Sequence, residues 1–268
     1  MSVIANLFIA GAVAISCNKK IEECYGLTAI IMSLLLYIPG LYFSFYPGLL
    51  ICGIMSVVSV VYCIRTIIHD KVCLKQSVFT AGFVFLIACI IFFLFYSVGR
   101  GIDTPDDFYF WNLRVKNFVY FNRIRVVPST ELGDHPPIIP IWNYLAVKTS
   151  TGAVSQGICL WAQNVLLLSF MAPIFREVSG KYKIYKGILT AVIIFLIPAM
   201  TGETYHMLIT DFLLGALQFA GICAYYRYTM TYDRFYAVCF IANAIAIVMT
   251  KRIGAVFLAI LLIVCIQS

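Results

Sequence analysis

Apolar and polar positions along this chain come in long blocks rather than in residue-by-residue alternation. Nine apolar runs, at roughly 2–17, 25–43, 46–64, 77–98, 152–175, 187–201, 207–226, 235–250 and 253–267, are separated by polar connections. Runs of this kind predict helices. They lack the alternating ten-residue pattern of a membrane barrel, and most approach the ~20 residues needed to cross a hydrocarbon core about 30 Å thick. In lipid every backbone polar group must be satisfied inside its own element, so the pattern reads as an all-α, polytopic transmembrane helix bundle of about nine spans. The first and sixth runs are short for a span. Pro39-Gly40 and Pro47-Gly48 mark a tight turn between the second and third. The chain divides accordingly into N-terminal transmembrane helices (1–98), a long loop (99–151) and C-terminal transmembrane helices (152–268).

The loop breaks the apolar pattern. Between Arg100 and Pro140 lie five of the twelve acidic residues (Asp103, Asp106, Asp107, Glu131, Asp134) and five of the nine prolines. Within it, Phe108, Trp111, Val115, Phe118 and Val119 recur at helical spacing, which predicts a helix over about 106–122 with Arg114, Lys116 and Asn117 off the apolar face. Asp106 and Asp107 would open that helix, where its dipole favours negative charge. Such a helix is expected to lie in the interface plane with its aromatics among the lipid head groups. Residues 138–147 read as a second short interfacial helix, entered through Pro136 and Pro137, which hold the chain extended and present His135.

Composition sharpens the class. The chain is 62% hydrophobic and 12% charged, against about 25% charged in soluble domains. A globule of this size could not bury so much apolar surface, so lipid is the expected solvent. The net charge of +7 comes with no nucleic-acid-binding motif and sits in short connections. Lys19 and Lys20, then Arg65, Lys71 and Lys75, then Arg176, Lys181, Lys183 and Lys186, then Arg227 and Arg234 fall on alternate connections. The positive-inside rule assigns these to the cytoplasmic side. The long loop then faces outward, and so does the N-terminus, because an even number of spans precedes the loop. The ten cysteines are scattered, mostly inside apolar runs and without a CxxC, and read as small buried residues. The apolar N-terminus lacks a basic leader and reads as a first span rather than a cleaved signal.

Three outer segments carry the candidate chemistry. In the long loop, adjacent carboxylates at a surface where lipid head groups arrive suit a general base, or equally a divalent cation; the sequence requires no cofactor. Helix capping accounts for one of the two. Glu203, Tyr205 and His206 form the next outer turn, and Asp211 falls one turn inside the seventh run, where a carboxylate is costly and marks a site. Lys251-Arg252, two cations on the outer side at the mouth of a span, read either as snorkelling side chains or as a receptor for an anionic head group.

Taken together, DDFYFWNLRVK, DHPPIIPIWNYL some 25 residues later, ETYHMLITDFLLG and TKRIG resemble the GT-C superfamily of membrane glycosyltransferases. The likeness is closest to the RgtA/B/C/D-like and dolichyl-phosphate-mannose–protein mannosyltransferase-like proteins, and covers about residues 77–256. The resemblance implies a sugar transfer from a polyprenyl-phosphate donor to a glycan, glycolipid or protein acceptor of the cell envelope, with inversion at the anomeric carbon. Asp106 or Asp107 would be the catalytic base. Lys251 and Arg252, with Arg114 or Arg123, would hold the donor phosphate. Asp103, His135, Glu203, His206 and Asp211 would complete the substrate site. Ile253 stands where many members carry Glu or Asn. Members are commonly longer than this chain, which ends within or just after an apolar run, so it reads as a piece of a longer protein. A polymerase or ligase using a diphosphate-linked sugar is the alternative enzyme. A transporter is expected to carry charges or helix breaks in mid-span, and here Asp211 is the one acid placed inside a run. A non-enzymatic scaffold does not account for acids clustered on one face.

Overall fold

The computed structural model describes residues 2–69, 71–101, 111–124, 136–150, 152–178, 182–200, 204–208 and 210–267. Every regular element among them is helical: α1 (Ser2–Cys17), α2 (Ile21–Tyr42), α3 (Tyr46–His69), α4 (Lys71–Ser77), α5 (Ala81–Ser97), α6 (Leu113–Phe121), α7 (Ile138–Ser150), α8 (Gln156–Met171) continued by a 3-10 segment (Ala172–Glu177), α9 (Lys183–Ala199), α10 (Asp211–Thr231), α11 (Arg234–Val248) and α12 (Gly254–Gln267). A helix stands at each of the nine apolar runs. Three are long and apolar enough to cross a membrane: Ile21–Tyr42, Tyr46–His69 and the continuous Gln156–Glu177. Length decides most of the others. Helices of 14–17 residues such as α1, α5, α9, α11 and α12 rise only about 21–26 Å at 1.5 Å per residue, short of a core ~30 Å thick. Composition decides α10, which is 21 residues long but includes Asp211, Gln218, Arg227 and five tyrosine or threonine positions near its end.

Caps and close approaches set the helix boundaries. Thr80 accepts from the Phe83 N–H at the start of α5, Ser155 from Ile158 at the start of α8, and Asp233 from Phe235 at the start of α11. The predicted turn between α2 and α3 is clamped by the loop: Ile124 N–H donates to the Gly40 carbonyl and Phe45 N–H to that of Asn122, both at 2.8–2.9 Å. Two glycines permit backbone contact. A Cβ on Gly48 would stand 2.6 Å from the Leu35 carbonyl oxygen, and one on Gly157 would stand 2.3 Å from that of Ser97. Gly157 therefore lets α8 begin directly against the end of α5. Gly157→Ala is expected to cost about 1–3 kcal/mol by overpacking against backbone that cannot rotate away, read as a lowered unfolding midpoint.

The loop helices differ from their expected placement. α7 is enclosed by protein: Ile138 to Val147 are all buried, packed against α2, α6 and α8. Trp142 is fully buried and its indole N–H donates to the Ala162 carbonyl at 2.9 Å, while Tyr144 stacks near Phe45 with ring centroids 4.5 Å apart. Pro140 is accommodated because it occupies the first turn, where its missing N–H would have had no helical partner. The first loop helix, α6, runs from Leu113 to Phe121 and is capped by Asn122 in the left-handed conformation. Trp111, Val115 and Phe118 form its apolar face as expected, but that face packs on protein, with Phe118 edge-on to Phe45. Residues 106–110 lie outside the described residues.

Polar groups gather at the two ends of the helices. At one end, Arg176 Nη1 donates to both carboxylate oxygens of Glu23 at 2.7 Å, and the Tyr236 hydroxyl donates to Glu23 Oε1 at 2.7 Å. Lys19 pairs with Asp233 and lies 4.8 Å above the Tyr236 ring, Lys20 Nζ donates to the Arg176 carbonyl, and Arg227 pairs with Glu177. The Lys19 ammonium holds the Asp233 carboxyl below its ordinary range. Cations from three separate connections thus meet at one end, where the alternation of charge had put them together. The opposite ends of α5, α10 and α11 carry the residues considered next.

Candidate functional site

At the start of α10, Asp211 is the first helical residue, not one turn inside a span. Its carboxylate is more than half exposed and stands at a helix N-terminus, so the energetic argument for a costly buried acid does not apply to it. Its partner is Lys251, from the connection between α11 and α12, with Nζ to Oδ1 at 2.6 Å. Lys251 is thus paired with a carboxylate of this chain, a contact that neither reading of it from the sequence had included. Arg252 is exposed beside it. The three charged residues, with Leu214, Ile253 and Phe257, line an open cavity of about 430 Å³. One wall carries two cations and one anion, the other is apolar. An incoming phosphate would compete with Asp211 for the Lys251 ammonium while its apolar chain lay along Phe257.

The neighbouring backbone is held by the loop. Ile138 N–H, at the start of α7, donates to the Met249 carbonyl at 3.2 Å, which fixes the Pro136–Pro137 segment beside the end of α11. Thr250 Oγ1 donates to the Ala246 carbonyl. Thr210, fully buried and adjacent to Asp211, has a hydroxyl with no hydrogen-bond partner among the described residues.

His206 belongs to a different cluster. Its ring contacts the Tyr96 hydroxyl at 2.8 Å and Arg100 Nη1 at 2.9 Å, and the Arg100 guanidinium sits 4.0 Å over the Tyr96 ring. With an arginine donating to Nδ1, the neutral Nε2–H tautomer is the one that can in turn donate to Tyr96. Arg100 and Tyr96 are contributors that reading the sequence missed. The available signal was a cation placed directly after an apolar run, which has the same appearance as ordinary snorkelling.

Two of the proposed phosphate ligands stand elsewhere. Arg114 was expected off the apolar face of its helix and is instead 6% exposed, drawn into the packing of α6. Burial lowers its guanidinium to about 10, which leaves it charged at neutral pH. Arg123 is exposed after the end of α6, one residue beyond Asn122, whose side-chain oxygen accepts from Tyr144. Asp103, Asp106, Asp107, His135 and Glu203 lie outside the described residues. Among those described, no group of three His, Cys, Asp or Glu side chains is placed to hold a metal ion.

No protein-family model, curated protein or solved structure matches the chain.

Proposed function

We propose that the chain is an integral membrane glycosyltransferase of the cell envelope that takes a sugar from a polyprenyl-phosphate donor. In this reading nine helices cross the cell membrane, the short ones by local thinning of the bilayer and by flanking residues that snorkel to the interface. The end bearing Lys251 is the non-cytoplasmic one, because the end bearing Lys19, Lys20, Arg176 and Arg227 holds most of the cations. The observation that carries the reading is the Asp211–Lys251 pair with Arg252 at the mouth of a cavity whose other wall is apolar. That combination suits a ligand with an anionic head and an apolar tail.

The proposed step is a single displacement. Asp106 or Asp107 takes the proton of an acceptor hydroxyl, and the hydroxyl oxygen attacks the anomeric carbon. The bond from that carbon to the phosphate oxygen breaks, and its electron pair leaves on the phosphate. Lys251 and Arg252 stabilise the charge that develops there, which is where a preorganised cation helps most. Inversion follows from one displacement. The acceptor is a glycan, a glycolipid or a protein.

The test is binding of a polyprenyl monophosphate to the reconstituted protein. Lys251→Met and Arg252→Met are each expected to weaken binding about ten- to a hundredfold, the value of a charge-assisted hydrogen bond of ~1.5–3 kcal/mol. Wild-type affinity in both variants, or no binding to the unsubstituted protein, would sink the donor assignment.

A further inference from the structure

A second cavity, of about 620 Å³, opens at the opposite end of the molecule between α5 and α9. Its polar residues stand where these helices begin: Thr80 caps α5, Lys183 is the first residue of α9, and Lys20 and Gln76 complete the mouth. From there the walls turn apolar. Val84 and Ala88 continue along α5, and Ile184, Ile188 and Ala191 along α9. From Thr80 to Ala88, and from Lys183 to Ala191, is eight residues, or about 12 Å of helix rise on each wall. Val84, Ile184 and Ile188 are each more than 60% exposed, so protein does not cover this apolar surface. The two helices meet near the mouth, where a Cβ on Gly187 would come within 4.0 Å of Ala81, and again beyond the slot, where the Phe195 ring stands 5.4 Å from Phe92 and 6.1 Å from Phe93.

The charge at the mouth is unbalanced. Lys20 Nζ donates to a neutral acceptor, the Arg176 carbonyl. Among the described residues neither Lys20 nor Lys183 forms an ion pair with a carboxylate. Among the described residues no acid lines the cavity, and Glu22, which accepts from Thr80, is fully buried and off the wall. The mouth therefore presents two ammonium groups above an apolar slot, in a chain with three helices able to cross a membrane.

We propose that this groove binds one anionic phospholipid of the surrounding bilayer, its phosphate between Lys20 and Lys183 and one acyl chain between α5 and α9. The site is separate from the sugar-donor cavity and does not depend on the glycosyltransferase reading. Apolar walls alone would accept any acyl chain. The two lysines supply the preference for a net negative head group.

The experiment is native mass spectrometry of the full chain from micelles containing equal phosphatidylglycerol and phosphatidylcholine. One retained lipid is expected, predominantly phosphatidylglycerol. Lys20→Gln and Lys183→Gln should each reduce the preference about fivefold, corresponding to ~1 kcal/mol per cation at a membrane surface. Retention of phosphatidylcholine should not change. Ala88→Trp together with Ala191→Trp, which fills the slot, should abolish retention of both lipids. Equal retention of the two lipids by the unsubstituted protein, or an undiminished preference in the doubly glutamine-substituted protein, overturns the head-group assignment. Undiminished retention in the tryptophan variant would place the lipid elsewhere on the surface. Lys183 is exposed at the start of its helix, so its replacement tests the charge without testing the fold.

Discussion

Arg176→Met is expected to destabilise the protein by about 3–5 kcal/mol, the cost of stranding a buried charge when its partner is removed. The charge left behind is Glu23, whose side chain is 4% exposed in the first turn of α2. In the intact protein its two carboxylate oxygens accept from Arg176 at 2.7 Å each, and Oε1 also accepts from Tyr236. Without the guanidinium, one hydroxyl and the Lys20 backbone N–H would remain to serve a carboxylate removed from water. The damage would spread, because this network joins the starts of α2 and α11 to the 3-10 segment after α8. The pair is not expected to be worth its breaking cost. Glu23→Gln combined with Arg176→Met should recover most of the loss, since no uncompensated charge is then buried. Denaturation of the two single variants and the double variant measures this directly. A single Arg176→Met variant within about 1 kcal/mol of the unsubstituted protein would show that water reaches Glu23 freely.

Loss of the loop carboxylates is expected to have the largest effect on the proposed reaction. Replacing both Asp106 and Asp107 with asparagine should reduce sugar transfer by about 10²–10⁴, the usual contribution of a positioned general base. Binding of a polyprenyl phosphate should be nearly unchanged, because the cations proposed to hold it are on a different connection. The two single variants should differ strongly, with the larger loss at the residue that takes the proton and the smaller at the one that opens the helix. Lys251→Met should show the converse pattern, with weakened donor binding. Full transfer by the double asparagine variant would exclude both aspartates as the base. Equal weakening of donor binding and transfer would instead make them ligands of the donor.

Much of the helical layout was legible in the chain because it depends on local properties. Apolar blocks separated by charged connections place a helix at each run, and the alternation of Lys and Arg anticipated the meeting of Lys19, Arg176 and Arg227 at one end. The Lys251-Arg252 turn and Asp211 were also visible as charges next to apolar runs, and they do come together.

Burial of the loop helices was not legible. Residues 138–150 have the same amphipathic appearance whether they lie on a membrane or inside a protein, and only the packing of α2, α6 and α8 around Trp142 and Tyr144 decides between the two. Arg114 shows the same limit: its helical position off the apolar stripe predicted exposure, but the neighbouring helices close over it. Pairings such as Arg100 with His206, or Glu23 with Arg176, join residues 106 and 153 positions apart. Which segments are helical follows from hydrophobic patterning and from backbone hydrogen bonding within each segment, both local to the chain. Which charges face one another and which helix is enclosed depend instead on contacts between segments distant in the chain, and so emerge with the packed fold.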